Sequence, residues 1–141
     1  MTQPATTLNI GDNAAPRIGA RMPDGTIYAG ISANTNQPMY ALPADCPLTM
    51  SFKQAQKYAQ GLNRQKAHGH DGWHVPTGNE LNVLFNNRAA IGGFNVGGVG
   101  QAGWYWASSP LGVFNGAVKR FSDGYQDDAN LGMHYSVRFV R

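Results

Sequence analysis

The last third of this chain constrains its fold more than any other part. Trp104-Tyr105-Trp106-Ala107-Ser108-Ser109, Ala117-Val118-Lys119-Arg120-Phe121-Ser122-Asp123-Gly124 and Tyr135-Ser136-Val137-Arg138-Phe139-Val140-Arg141 are rich in aromatic and β-branched residues. Each run is bounded by Gly, Pro, Asn or Asp, so three β-strands are predicted. An apolar strand at a chain terminus frays unless the sheet holds it. The final seven residues are therefore expected to close the sheet.

A chain of 141 residues is read as one domain. At this size roughly two-thirds of the unfolded surface can be buried, enough for a core without metals or disulfides. Charged residues make up 13%, about half the usual share, and 18 glycines stand among many asparagines. This predicts a loop-rich protein with a neutral polar surface, suited to packing on proteins or sugars. The net charge of +3 is spread out, with short concentrations only at Lys119-Arg120 and at Arg138 with Arg141. A nucleic-acid binder needs a basic stripe, so no nucleic-acid partner is expected.

Cys46 is the single cysteine, which excludes an internal disulfide and a cysteine-based zinc site. It is read as a small, partly buried residue. The start of the chain has no basic-then-apolar leader, and no apolar run approaches the ~20 residues that span a bilayer. The expectation is synthesis in a cytoplasm without a signal peptide and no membrane insertion. Later display on a particle assembled there and released by lysis is compatible with this.

Along the chain, residues 1–20 are polar with few large apolar groups and read as an extended arm, followed by one domain at 21–141. Leu8 and Ile10 alternate with polar residues. A strand added to a neighbouring subunit and a disordered tail fit that composition equally well. Pro23-Asp24-Gly25 is a turn, and a hairpin is expected over 26–32 and 38–42. Phe52, Ala55, Tyr58, Ala59 and Leu62 recur at helical spacing, giving a helix at 51–63. Thr77-Gly78-Asn79-Glu80 has the capping-box pattern, giving a second helix at 77–89. The glycine-rich stretch 91–103 reads as a long surface loop, of a length that in compact domains is functional or disordered.

These pieces in this order resemble the C-type-lectin-like fold. Gly72-Trp73-His74-Val75-Pro76-Thr77-Gly78-Asn79-Glu80-Leu81 is similar to the Trp-Arg-Leu-Pro-Thr-x-x-Glu-Leu segment of a bacterial and phage family that includes the C-terminal domains of collagen-like adhesins. Gly103-Trp104-Tyr105-Trp106-Ala107-Ser108-Ser109 resembles its Tyr-Trp-Ser-Ser strand. Phe121-Ser122-Asp123-Gly124 resembles its Phe-x-Asp-Gly turn, and Val137-Arg138-Phe139-Val140-Arg141 its closing Val-Arg-x-Val-Arg. The hairpin from Pro23 to Gly30 resembles leaders of short phage and prophage members. The resemblance implies an α+β class, with two helices packed on a twisted, mostly antiparallel sheet. The cysteine pairs of animal C-type lectins and their Glu-Pro-Asn, Gln-Pro-Asp and Trp-Asn-Asp calcium triplets are absent, since Asn36-Gln37-Pro38-Met39 lacks the carboxylate. The resemblance therefore carries the fold and not the calcium-lectin mechanism.

Four groups of residues can carry chemistry. His68, His70, Asp71 and His74 are the densest set of metal-ligating types, read either as a site or, with more weight, as a polar loop feeding the Trp73 strand. Asp123, Asp127 and Asp128, with Ser122 and Asn130, are read as one acidic loop whose spacing does not match the helix–loop–helix calcium pattern. Trp104 and Trp106 share one face of a strand and Tyr105 the other. Either face can stack on a sugar, but one must be core, and Trp106 is given to the core. Tyr135, Ser136, Arg138 and Arg141 form either a recognition surface or, for Arg138, a snorkelling or acid-paired side chain. In some members of the family this region is diversified by retroelements, with ligand contacts on the Trp-to-Arg sheet face. The candidate ligand-binding residues are Trp104, Tyr105, Asn115, Lys119, Tyr125, Tyr135 and Arg138. No catalytic residue, metal ligand or cofactor is expected.

Two functional classes follow. One is a non-catalytic binding or structural module of a phage or prophage particle, as a capsid decoration, fibre or receptor-binding protein. Its partners would be other virion or surface proteins or a host glycan, and its arm would make a homo-oligomer. A bacterial adhesin or carbohydrate-binding domain is the alternative. The other class is an enzyme: the formylglycine-generating oxidases share the fold but use paired cysteines, which one cysteine cannot supply.

Overall fold

A computed structural model describes residues 16–141. The α+β class holds, with two antiparallel sheets and three α-helices among the described residues. The N-terminal hairpin pairs β1 (Ile27–Ile31) with β2 (Pro38–Ala41). The second sheet has the order β3 (Trp104–Pro110), β4 (Asn115–Arg120), β5 (Gln126–Asn130).

Local signals fix the helices. α1 (Phe52–Arg64) opens on Ser51, whose hydroxyl accepts from the Gln54 amide while the Gln54 side chain accepts from the Ser51 amide. The same reciprocal cap starts α2 (Gly78–Asn86), between Thr77 and Glu80, as the capping-box pattern predicts. The expected helix 77–89 is divided. Asn87 leaves the helical region at φ −108°, and a single turn, α3 (Arg88–Ile91), follows.

The centre of the second sheet, along β3 and β4, is buried on both faces, and alternation along β3 assigns its residues. Tyr105 and Ala107 face a core with Leu81, Leu84, Ala117 and Phe121. Trp106 faces another with Trp73, Val75, Val118, Val137 and Phe139. Trp106 is core, and so is Tyr105, so both faces of β3 are covered at its middle.

The closing segment is extended and interior but is not a continuous strand. Arg141 and Tyr40 exchange two backbone hydrogen bonds at 2.9 Å, Val140 pairs with His74, and Tyr135 pairs with Met50. Phe139 and Val137 carbonyls accept from the amides of Leu42 and Cys46. The opposing stretch 42–50 contains Pro43 and Pro47, which have no N–H to give, so the ladder is interrupted. The tail thus joins the hairpin to the three-stranded sheet, whose Trp104 and Trp106 also bond Ser136.

Two further expectations are corrected. Asp127 and Asp128 lie on edge strand β5, not in a loop: the free edge of β4 imposes extended geometry on a sequence with low β-propensity. The 91–103 stretch is irregular as expected, but Phe94 ties it down, with its ring 4.8 Å from Phe121 and 5.6 Å from Tyr105. Of the arm, residues 1–15 lie outside the described residues. Residues 17–20 run along β1, with the Gly19 amide bonded to Tyr28 O and the Tyr28 amide to Ala20 O.

Candidate recognition surface

The turn after β4 builds the most exposed aromatic cluster. Register places Trp104 opposite Arg120. The chain then turns through Phe121-Ser122-Asp123-Gly124. Gly124 sits at φ +84°, where a Cβ would come within 2.7 Å of the Phe85 ring, so glycine is required there. Asp123 accepts from the Tyr125 amide at 3.0 Å and takes the Arg120 guanidinium in a fork, Nε at 3.0 Å and Nη2 at 2.6 Å. The guanidinium carbon lies 5.2 Å from the Trp104 ring centre and 5.4 Å from that of Tyr125. The two rings meet edge to face at 6.1 Å. The Arg120 and Tyr125-amide bonds hold the Asp123 carboxyl down at about 2, and Asp123 in turn raises Arg120. The result is a forked donor–acceptor pair whose guanidinium lies against two touching aromatic rings, with Tyr125 56% exposed.

The other predicted site residues go elsewhere. Asn115 is exposed at the far end of β4. Lys119 is buried, its ammonium donating to Gly124 O at 3.2 Å and lying 5.6 Å from the Phe85 ring, and burial lowers its pKa. Tyr135 is half-buried, edge-on to Trp106. Tyr105 and Arg138 are both 0% exposed and meet at Asp45. The Tyr105 hydroxyl donates to one Asp45 oxygen and accepts from the Asn95 amide. Arg138 Nε donates to the other oxygen at 2.9 Å, Nη2 donates to Gly92 O at 2.8 Å, and the guanidinium stacks 4.1 Å over Phe94. Burial dominates this network. It pushes Asp45 up despite both donors, raises Tyr105 and lowers Arg138. Arg138 is thus an acid-paired interior residue, and the expected single face from Trp104 to Arg138 is divided between surface and core.

The histidine group is divided too. His70 Nε2 lies 2.8 Å from Asp24 Oδ2, and His68 Nδ1 lies 2.7 Å from Asp24 O, so both brace the Pro23–Gly25 turn. His74 Nε2 lies 2.9 Å from Glu80 Oε1, and Ser32 donates to Glu80 Oε2 at 2.6 Å. Burial opposes ionisation of Glu80, but the His74, Ser32 and Thr77 bonds outweigh it and bring its pKa to about 2. The bond to Glu80 raises His74. Among the described residues no three His, Cys, Asp or Glu side chains are grouped to hold a metal, and no helix is long and apolar enough to cross a membrane.

Asp45 had no signal in the sequence: 93 positions separate it from Arg138 and 60 from Tyr105. Arg120 and Asp123 had one, the Phe-x-Asp-Gly turn that sets an Asp three residues after an Arg.

The described residues thus form a disulfide-free α+β scaffold with an aromatic and Arg–Asp cluster at its surface. Residues 28–141 match the model of the Lcl C-terminal domain, and the chain belongs to that family, one of adhesin-like binding domains. No curated protein matches the chain.

Proposed function

We propose that this protein is a non-catalytic, glycan-binding module displayed in many copies on a phage or prophage particle, with Trp104, Arg120, Asp123 and Tyr125 as its recognition surface. The observation that carries the reading is the Arg120–Asp123 fork set against half-buried Trp104 and exposed Tyr125. A sugar ring presents C–H faces that stack on aromatics and a rim of hydroxyls that pair with a donor and an acceptor side by side. The surface supplies both, and the cluster is preorganised, so little side-chain entropy is lost on binding. One such site gives weak affinity, and display of many copies multiplies it.

Particle display rests on the resemblance of the Pro23–Gly30 leader to those of short phage members. The assembly contact is assigned to the arm, of which residues 17–20 already follow β1. A glycan array probed with multivalent protein tests the recognition surface. Trp104→Ala and Asp123→Asn should each abolish binding to whichever glycans the wild type retains, and signal unchanged in both removes the site. Deletion of residues 2–15 tests the arm: loss of co-purification with particles supports it, and unchanged co-purification refutes it.

A further inference from the structure

We infer that the protein forms a two-fold dimer through an apolar knob and groove at the end of the molecule away from Trp104, independently of the arm and of the recognition surface. The knob is the tip of the β3–β4 hairpin. Leu111, Val113 and Phe114 stand out from it, Val113 at 82% and Phe114 at 73% exposure. The groove, of about 590 Å³, is lined by Pro47, Leu48, Met50, Tyr58 and His134 among others. Leu48 is 73% exposed.

Knob and groove are neighbours. The Leu131 amide donates to Phe114 O at 2.8 Å, the Phe52 amide donates to Leu131 O at 3.0 Å, and Tyr135 pairs with Met50. The segment 131–135 therefore runs between the two and adds exposed Met133. No Asp, Glu, Lys or Arg occurs in 109–116, 46–50 or 131–135. A knob beside a groove on one surface is self-complementary: a two-fold axis near Met133 seats each knob in the other's groove.

Charge selects the second copy as occupant. The strand beside the knob carries exposed Asp127 and Asp128, and the helix beside the groove carries exposed Lys53 and Lys57. None of the four is in an ion pair among the described residues. Asp127 lies opposite Val118, on the sheet face where α1 packs, so the two-fold exchange brings Asp127 of one copy to the lysines of the other. An anionic lipid surface would instead be repelled by the acids flanking the knob.

Sedimentation velocity and equilibrium on the full chain test this. A reversible dimer is expected. Val113→Ser with Phe114→Ser should raise its dissociation constant by about tenfold or more, with the melting midpoint of the dilute protein unchanged. Lys53→Glu with Lys57→Glu should also weaken it, and adding Asp127→Lys with Asp128→Lys should restore it. A protein monomeric at its solubility limit overturns the inference. So does a dimer indifferent to the knob substitutions, or one lost only on removing residues 2–15. Binding of phosphatidylserine vesicles through the knob without dimerisation overturns it in favour of a membrane.

Discussion

Two arginine–aspartate pairs in this molecule use the same chemistry in opposite surroundings. Arg120 and Asp123 are three residues apart, form a fork at the surface and are flanked by Trp104 and Tyr125. Arg138 and Asp45 lie far apart in sequence, meet in the interior and are flanked by Phe94 and Tyr105. Water screens the first pair, so it adds little to folding and remains available to a ligand. The second is desolvated, and burial acts against each of its ionised members. Such a pair is weak evidence of stability but costly to break, because removing one partner strands the other charge. The same residue types make a solvent-facing pair in one place and a structural clasp in the other.

The largest effect should come from breaking the clasp. Arg138→Met leaves the Asp45 carboxylate without its cation and should cost about 3–5 kcal/mol in urea unfolding. Adding Asp45→Asn should recover part of the loss. An Arg138→Met protein as stable as wild type would mean that the interior pair is not coupled to folding. Tyr105→Phe keeps the ring and removes the hydroxyl that links Asp45 to the Asn95 amide. About 1–3 kcal/mol should be lost, read by the same unfolding curves.

A smaller effect should come from the mixed case, Glu80 with His74. The folded pKa of Glu80, about 2, lies below its ordinary 4.5, so its stabilisation is full above 4.5 and is lost as pH falls toward 2. The folded pKa of His74 lies above 6.5, so its stabilisation is full below 6.5 and is lost as pH rises through the folded value. The pair should contribute most between about pH 4.5 and 6.5. Thermal melts of His74→Asn against wild type should show the largest gap in that window and convergence on the alkaline side. A gap that does not vary with pH would show that the imidazole acts only by packing.

The smallest effect on stability should come from the surface fork. Asp123→Asn should leave the melting midpoint where it is while removing glycan binding. A large fall in the midpoint would make the turn structural and weaken the contrast with Arg138.

Elements with local causes were readable from the residues. The start of α2 follows from Thr77 with Glu80, because a cap needs only residues three apart, and α1 follows from its apolar spacing, while its Ser51–Gln54 cap was not read. The hairpin follows from the Asn34-Thr35-Asn36-Gln37 turn between two apolar runs, with Pro23-Asp24-Gly25 leading into its first strand, and the Trp106 core assignment from alternation and size. The burial of Tyr105 was not readable, since alternation assigns two faces without saying that both are covered. Strand β5 was missed because Gln126-Asp127-Asp128-Ala129-Asn130 has no strand preference of its own and takes its shape from β4.

The sequence by itself determined the two capped helix starts, the hairpin and the turn that places Asp123 beside Arg120. All are set by interactions over a few residues, where the chain has little freedom to do otherwise. Tertiary structure alone decided which charged and aromatic residues face water. Asp45 reaches Arg138 and Tyr105 only after the tail is laid between the hairpin and the second sheet. His68, His70 and His74 are adjacent in sequence yet serve different carboxylates, because the fold brings Asp24 to one side of that segment and Glu80 to the other. Whether an Arg–Asp pair is a ligand site or a clasp depends on desolvation, and desolvation is a property of the packed molecule.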